Sequence, residues 1–515
     1  MVYREMAWCV LLLFWVVSGL RPGARVLEAD NKLRSAAYDY KDGLSKAILF
    51  FEGQRSGKLP VSQRVTWRGD SALSDGSPDN VRLVGGYYDA GDNVKFVWPM
   101  AFTVSLLSWA AVEHMREISS ANQLGYLRQA IRWGADFIVT AHTSPTTLYT
   151  QVGDGNRDHQ CWERPEDMDT PRTLYKITSG SPGTEVAAEA AAALSAAAIV
   201  FKGVNSNYSA RLLSHSKSLF EFADRYRGSY QGSCPFYCSY SGYQDELLWA
   251  AAWLYKATGE VSYLKYTLNN QGWSQTASEF SWDNKFVGAQ ILLAQMYHSG
   301  KSSLERFKRD ADSFVCALMP GSSSVQVQRT PGGLIYYRDS SNLQYVTSAS
   351  MVLLIYSKIL NATKIGGVNC GSVHFSPSEM KAFATTQVNY ILGNNPQRMS
   401  YMVGFGNKYP LHLHHRAASI SSLEVHHAKV GCNEGYSTWF YSGDPDPNRH
   451  VGAVVGGPDS SDGFRDSRSD YSHSEPTTYL NAAFVGSIAA LIGEAGDGCL
   501  QVQHVNGTID MNDAA

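Results

Sequence analysis

Helical periodicity runs through almost the whole of this 515-residue chain, and it excludes most architectures before any motif is read. Leu44, Ile48 and Phe51 fall on one face of a 3.6-residue repeat, as do Leu106, Trp109, Ala110 and Val112. Eleven amphipathic segments start near residues 38, 100, 124, 184, 210, 244, 284, 304, 343, 377 and 476, and a weaker twelfth covers 261–269. Strict apolar–polar alternation is rare and no β–α–β rhythm appears, so a parallel sheet is not expected. The fold class is all-α. No repeat of fixed period is visible, which argues against a solenoid. Twelve helices without a sheet suit a closed ring of helical hairpins, and long connections such as 53–80 and 442–470 are expected to carry function.

The N-terminus points to an oxidising compartment. Arg4 precedes an apolar run from Trp8 to Val17, and Ser18, Gly19 and Leu27-Glu28-Ala29 follow. That run is about half of the 20 residues a bilayer span needs, so 1–29 reads as a cleaved secretory leader. No later segment reads as a membrane span, because the alanine-rich run after Thr184 is interrupted by Glu185, Glu189 and Lys202. The remainder divides into one domain over 30–498 and a short polar tail over 499–515, which leaves no room for a separate binding module. Secretion gives meaning to three glycosylation triplets, at Asn207, Asn361 and Asn506. Loss of Cys9 with the leader leaves seven cysteines, an odd number that implies a free thiol. Cys234 and Cys238 are close enough in sequence to pair, and no Cys/His spacing matches a zinc site. A net charge of −3 gives no reason to expect nucleic acid or an anionic membrane as partner. The 12 Trp and 29 Tyr suit either a groove that stacks on flat hydroxylated ligands or a large aromatic core.

Two loops far apart in sequence carry carboxyl groups in suggestive settings. The first is Gly85-Gly86-Tyr87-Tyr88-Asp89-Ala90-Gly91-Asp92-Asn93, in which two small residues let Asp89 and Asp92 point at one spot and hold a water between them. The rival readings are a helix cap and a calcium loop, and the latter normally offers more oxygen ligands within a few residues. The second runs from Phe464 through Asp466 and Tyr471 to Glu475, Pro476 and Ala482. Proline favours the first helical position, which places Glu475 at a helix start. The helix dipole there lowers a carboxyl pKa, so a proton-donating Glu475 would need burial or a nearby carboxylate to overcome it.

Taken together, these stretches resemble glycoside hydrolase family nine, the plant-type endo-β-1,4-glucanases or cellulases, from about Tyr38 to Ala495. The likeness also rests on Leu49–Gly57, Cys161–Met168 and Tyr243–Trp249. It extends to the stretch from Ser400 through Gly406 and Lys408 to His414-His415-Arg416, and to Phe464–Ala482. The resemblance implies an (α/α)6 barrel with an open cleft formed by inter-helix loops. It implies Asp92 as general base, Asp89 as a second holder of the attacking water, Glu475 as general acid and Asp466 as a supporting carboxylate. His414 and Arg416 would bind sugar hydroxyls, and metal binding by the crowded histidines 412, 414, 415, 426 and 427 becomes unlooked for.

Trp162, His159, Trp282, Tyr243, Tyr345 and Tyr471 are the remaining candidate sugar contacts, since pyranose rings stack on such side chains. Ser340 stands where some relatives carry a tryptophan, which implies a weaker or differently shaped subsite. The expected activity is a secreted, extracellular endo-β-1,4-glucanase acting by inversion, working as a monomer on polysaccharide without cofactor, catalytic metal or membrane anchor, with a structural calcium left open. Inversion asks for two carboxyl groups about 6.5–9.5 Å apart, one accepting a proton from water and one donating to the leaving oxygen. Two alternatives are another β-1,4-linked wall polysaccharide (xyloglucan, glucomannan, mixed-linkage glucan) and a non-catalytic glucan-binding protein. The second would tolerate loss of a carboxylate, and all four are present.

Overall fold

Six of the helices are apolar around most of their circumference, and only the middle of a molecule can hold such surfaces. A computed structural model describes residues 38–493. Among the described residues there are twelve helices of nine residues or more. They are α1 Tyr40–Gly53, α2 Val97–Glu113, α3 Leu124–Ala141, α4 Thr184–Phe201, α5 Ser206–Arg225 and α6 Gln244–Thr258. The second half comprises α7 Val261–Asn269, α8 Phe286–His298, α9 Glu305–Leu318, α10 Leu343–Ala362, α11 Pro377–Leu392 and α12 Thr478–Ala489. The even-numbered helices form a closed inner ring, each packed on the next and α12 back on α2. Each odd-numbered helix from α3 onward lies outside its predecessor, and α1 lies outside α12. This is the expected (α/α)6 barrel.

The two rings differ in burial as their sequences require. All 12 residues of α12 are buried, whereas α7 buries Thr267 alone. That explains why 261–269 gives so weak a periodic signal. By length and apolarity α4 and α10 could cross a membrane, but 94% of each is buried within the protein. Glu185 and Glu189, which interrupt the apolar run of α4, are themselves fully buried. Lys285 sits just ahead of α8, with Nζ 3.3 Å from Glu246 Oε1 and 3.8 Å from Glu189 Oε2.

Helix starts follow their caps. Ser376 and Glu379 close a capping box on α11. Thr477, not Glu475, caps α12, with its hydroxyl accepting from the Leu480 amide. The helix therefore begins two residues after Pro476, a correction to the boundary expected from proline. The structure also adds strands that the sequence does not announce. Around the central β3 Thr147–Val152 pair β1 Lys95–Phe96, β2 His142–Ser144 and β4 Leu174–Thr178, all antiparallel. A separate hairpin joins β5 Val368–Cys370 to β6 Val373–Phe375. Most of these strands are too short for alternation to register.

Three disulfides pair six cysteines: Cys161–Cys432, Cys234–Cys238 and Cys316–Cys370. The sequence suggests only the second. Asn207 and Asn361 are exposed. The leader 1–29 with Cys9, the tail 499–515 with Cys499, and Asn506 lie outside the described residues.

Candidate active site

The loop into α2 and the loop into α12 meet at one glycine. Gly85 and Gly86 adopt positive φ angles of 105° and 75°, which turn the backbone toward Asp89 at little steric cost. Gly91 is small for another reason, since a Cβ there would stand 1.9 Å from the His414 carbonyl oxygen. Its N–H donates to Glu475 Oε1 at 3.0 Å, across 384 residues of sequence. Its carbonyl accepts from the Arg416 amide and from Arg416 Nη1, both at 3.0 Å. Asp92, the next residue, is buried, and its Oδ1 accepts from the Ala90 amide at 3.2 Å.

Glu475 follows the one-turn helix Tyr471–Ser474 in an extended conformation and keeps part of its surface open to the cavity. Because α12 starts at Thr478 behind its own cap, Glu475 is not in that helix's first turn, and the opposing dipole loses most of its force. Surrounding protein is the largest cause raising its pKa, and the charge of Asp92 is the next; together they push it up to about 8. Burial first, and then Asp158, raise Asp92 to about 6, while His159 and Arg416 pull the other way. Asp89 rises well above the usual carboxylate range, again by burial and then by Asp92. Its Oδ2 accepts from the Tyr237 hydroxyl, and its buried Oδ1 accepts from no group among the described residues.

Arg416 is expected to reach sugar, yet most of its donors are spent inside the protein. Nε donates to the Cys161 carbonyl, Nη1 to Gly91 and Nη2 to the Asp158 carbonyl, all at 3.0 Å. Nη2 also lies 3.1 Å from Asp158 Oδ2, and the guanidinium stacks 4.9 Å above the Trp162 ring. It clamps the loop carrying Asp92 to the segment 158–162. His414 Nδ1 lies 2.8 Å from the Arg468 carbonyl, so this nitrogen must carry the proton, leaving Nε2 as an acceptor. Burial, with Arg416 adding to it, drops its pKa to about 3, so the ring is neutral.

A cavity of about 550 Å³ opens beside these groups. Glu475, His414, Arg416, His159, Trp162 and Tyr471 line it, together with Phe236, Tyr436 and Phe440, which sequence reasoning does not single out. Tyr471 is 59% exposed and presents a free ring face. Trp162 is the opposite case at 1%: its Nε1 donates to Ser419 and its ring packs among His414 and Phe440, so it is the cavity's floor. His159 packs against Phe236 with ring centroids 4.4 Å apart and the planes tilted by 35°. The Cys161–Cys432 disulfide ties the segment holding Trp162 to the turn holding Tyr436 and Phe440.

Other candidates lie outside this cavity lining. Asp466 accepts from the Leu411 and His412 amides at 2.9 and 3.0 Å and lies 3.1 Å from His412 Nδ1. It anchors the stretch of chain leading to His414. Trp282 packs edge-on against Trp98 and Tyr237, and its carbonyl accepts from Lys285. It thereby backs the tyrosine that touches Asp89. Tyr345 is buried on α10 against Tyr337, with Arg338 over its ring. Tyr243 is half-buried at the N-cap of α6. Ser340 is exposed, and the Ser341 amide donates to the Ser472 carbonyl at 2.8 Å, beside the turn that carries Glu475.

Sequence reasoning misses Tyr237 and Asp158, and only the bracketing Cys234 and Cys238 hint at the first. Asp92, Asp158 and His159 bring ligand atoms within 4.8 Å of one another, as a metal site would. The Asp158–Arg416 ion pair places a competing cation there. Cys161, Glu163 and Cys432 cluster similarly, but both sulfurs are consumed by the disulfide. The neighbouring histidines bind separate partners: His412 Asp466, His414 Arg468, His415 Gln54 and His427 Leu423.

Residues 40–488 match the family model described as glycosyl hydrolase family 9. The chain is similar to an endoglucanase of Phaseolus vulgaris, 71% identical over 469 residues, covering 90% of this chain and 95% of that one. It is 66% identical to Endoglucanase 20 of Arabidopsis thaliana, covering 89% and 96% respectively. Among solved structures, the endoglucanase of the termite Nasutitermes takasagoensis superposes with a TM-score of 0.79 at 40% identity, covering 89% of this chain and 99% of that one. Endoglucanase CelQ from Clostridium thermocellum, solved with cellotriose, superposes with a TM-score of 0.76 at 32% identity, covering 89% and 71%.

Proposed function

The chain belongs to glycosyl hydrolase family 9, and on that footing we propose that Asp92 is the general base and Glu475 the general acid of an inverting hydrolysis. The protein is an endo-β-1,4-glucanase, a glycoside hydrolase acting on β-1,4-glucan. The observation that carries the assignment of roles is the Gly91–Glu475 hydrogen bond, which sets the acid's carboxyl one residue from the base. The two groups are also separated in proton affinity. Between about pH 6 and 8, Asp92 is free to accept a proton while Glu475 retains one.

The steps balance without a cofactor. A water held by Asp92 and by Oδ1 of Asp89 loses a proton to Asp92 and attacks the anomeric carbon. The glycosidic C–O bond breaks as Glu475 protonates the leaving oxygen. Attack from the far face inverts the anomeric centre. Tyr237 orients Asp89, Arg416 holds the base loop in place, and Nε2 of neutral His414 accepts from a sugar hydroxyl. Tyr471, Tyr436, Phe440 and Phe236 offer ring faces to the pyranoses.

Secretion to the cell wall is supported by the leader-like N-terminus and by three disulfides, which persist in oxidising compartments. A monomer suffices, since every group invoked comes from one chain. Exposed Ser340 beside the acid's turn favours a second substrate reading, in which a bulkier β-1,4 wall glucan such as xyloglucan is accommodated where a tryptophan would obstruct it.

Asp92→Asn and Glu475→Gln should each lower kcat by about 10²–10⁴-fold with the fold intact. Proton NMR of the first product should show the α-anomer. Full activity in either variant, or a β-anomer, would overturn the roles. A panel of soluble glucans with product sizing separates the two substrate readings.

A further inference from the structure

A second cavity, of about 410 Å³, lies behind the base loop and is built from different chemistry. Gly85 and Gly86 form one wall, and Trp133, Phe137 and Thr140 of α3 form another. Four cations surround it: Lys58, Arg82, Arg132 and Arg211, all exposed, against the single carboxylate Asp136. Asp136 is already occupied, with Arg132 Nε at 3.3 Å and the Tyr208 hydroxyl donating at 2.8 Å. The side chains of Lys58, Arg82 and Arg211 make no hydrogen bond or ion pair among the described residues. The chain as a whole is acidic, at −3. Three unpaired cations around one concavity are therefore a local departure from the molecule's charge balance. Their like charges sum to a local positive potential, which draws anions to the concavity.

The rest of the lining narrows the anion. An inorganic ion fills little of such a volume and gains nothing from Trp133, whose Nε1 is fixed by the Gly86 carbonyl at 2.8 Å. The ring is thereby oriented and half-buried at the cavity, with the Arg55 guanidinium 4.8 Å from its centroid on one face and the other left for a ligand. A fixed indole beside guanidinium groups suits a sugar ring bearing a carboxylate: the apolar ring face packs on the indole while the carboxylate takes charge-assisted hydrogen bonds. A polynucleotide would need a longer track of cations than this pocket supplies.

We propose that the pocket formed by Lys58, Arg82, Trp133 and Arg211 is a binding site for an acidic saccharide, a uronate-bearing chain, separate from the hydrolytic cleft. It would anchor the enzyme on an acidic polymer while the cleft works on neutral glucan.

The test is binding of the full chain to polygalacturonate by affinity electrophoresis, run beside turnover of uncharged cellohexaose. The wild-type protein should be retarded by polygalacturonate. Retention should fall by about tenfold or more between 50 and 200 mM salt, as expected for a few released counterions. The Arg82→Glu/Arg211→Glu variant should lose about tenfold or more in affinity with cellohexaose kcat and KM unchanged. The milder Arg82→Gln/Arg211→Gln variant should fall between, which separates charge loss from misfolding. No retardation of the wild type, or retardation of both variants equal to that of the wild type, overturns the proposal. So does equal retention by duplex DNA, or complete release by millimolar inorganic phosphate. Because cellohexaose turnover is read independently, failure here leaves the roles of Asp92 and Glu475 untouched.

Discussion

At the scale of single residues, the site works by separating the proton affinities of two carboxyls that share one neighbourhood. Both are raised by burial; the charge of Asp92 raises Glu475 further, Arg416 lowers both, and His159 lowers Asp92. The sign follows directly. Activity requires Asp92 ionised, so it rises as pH climbs through about 6, and requires Glu475 protonated, so it falls through about 8. A plot of kcat/KM against pH on a neutral glucan should therefore be a bell with limbs near those values, belonging to the coupled pair. A single rising limb, with activity sustained well above pH 8, would remove Glu475 as acid. The types and order of these residues were legible in the sequence. Their partners were not: Tyr237 and Asp158 reach Asp89 and Asp92 only through tertiary packing, and no local pattern marks them. Arg416 and Trp162 read as sugar contacts, because an arginine or tryptophan looks the same in sequence whether its polar atoms face a ligand or other protein groups.

At the scale of elements, the helices were legible and the strands were not, for one reason. Twelve helices of nine to twenty residues give periodicity room to repeat, whereas β1 has two residues and β2 three. Boundaries were less visible than existence, as at α12, where the Thr477 hydroxyl and not Pro476 decides the start. The cavity's outer wall is an element that depends on a covalent tie. Cys161–Cys432 joins the Trp162 segment to the turn bearing Tyr436 and Phe440 across 271 residues. Replacing both cysteines by serine should cost up to about 5 kcal/mol by chain entropy, read as a lowered Tm. KM should rise more than kcat falls, because the aromatic wall loosens while Gly91 still holds acid and base together. Equal losses in both constants would place the disulfide's effect on the catalytic pair itself.

For the whole molecule, the barrel hides titratable groups of two kinds with opposite pH signatures. Glu185 and Glu189 on α4 are raised by burial from 4.5 to about 7, and Glu475 to about 8. Each holds its proton more tightly folded than unfolded, so its contribution is lost as pH rises from 4.5 through those values. His114, His414 and His450 are lowered by burial from 6.5 to about 3, so their contribution is lost as pH falls through that window. The two sets oppose each other between 4.5 and 6.5, and above 6.5 only the carboxyls still titrate. Thermal unfolding should accordingly show Tm declining from about pH 6.5 to about pH 8, and a Tm that rises across that interval would contradict the buried protonated carboxyls.

The glycine at the crossing of the two loops also gives the enzyme a spectroscopic voice. The Gly91 amide points at the acid's own oxygen, so its proton feels the charge on Glu475 directly. In protein labelled with ¹⁵N at glycine alone, one cross-peak should travel with the catalytic proton as pH is changed. Protonation of the acid could then be followed in the resting enzyme, without substrate and without altering a single side chain.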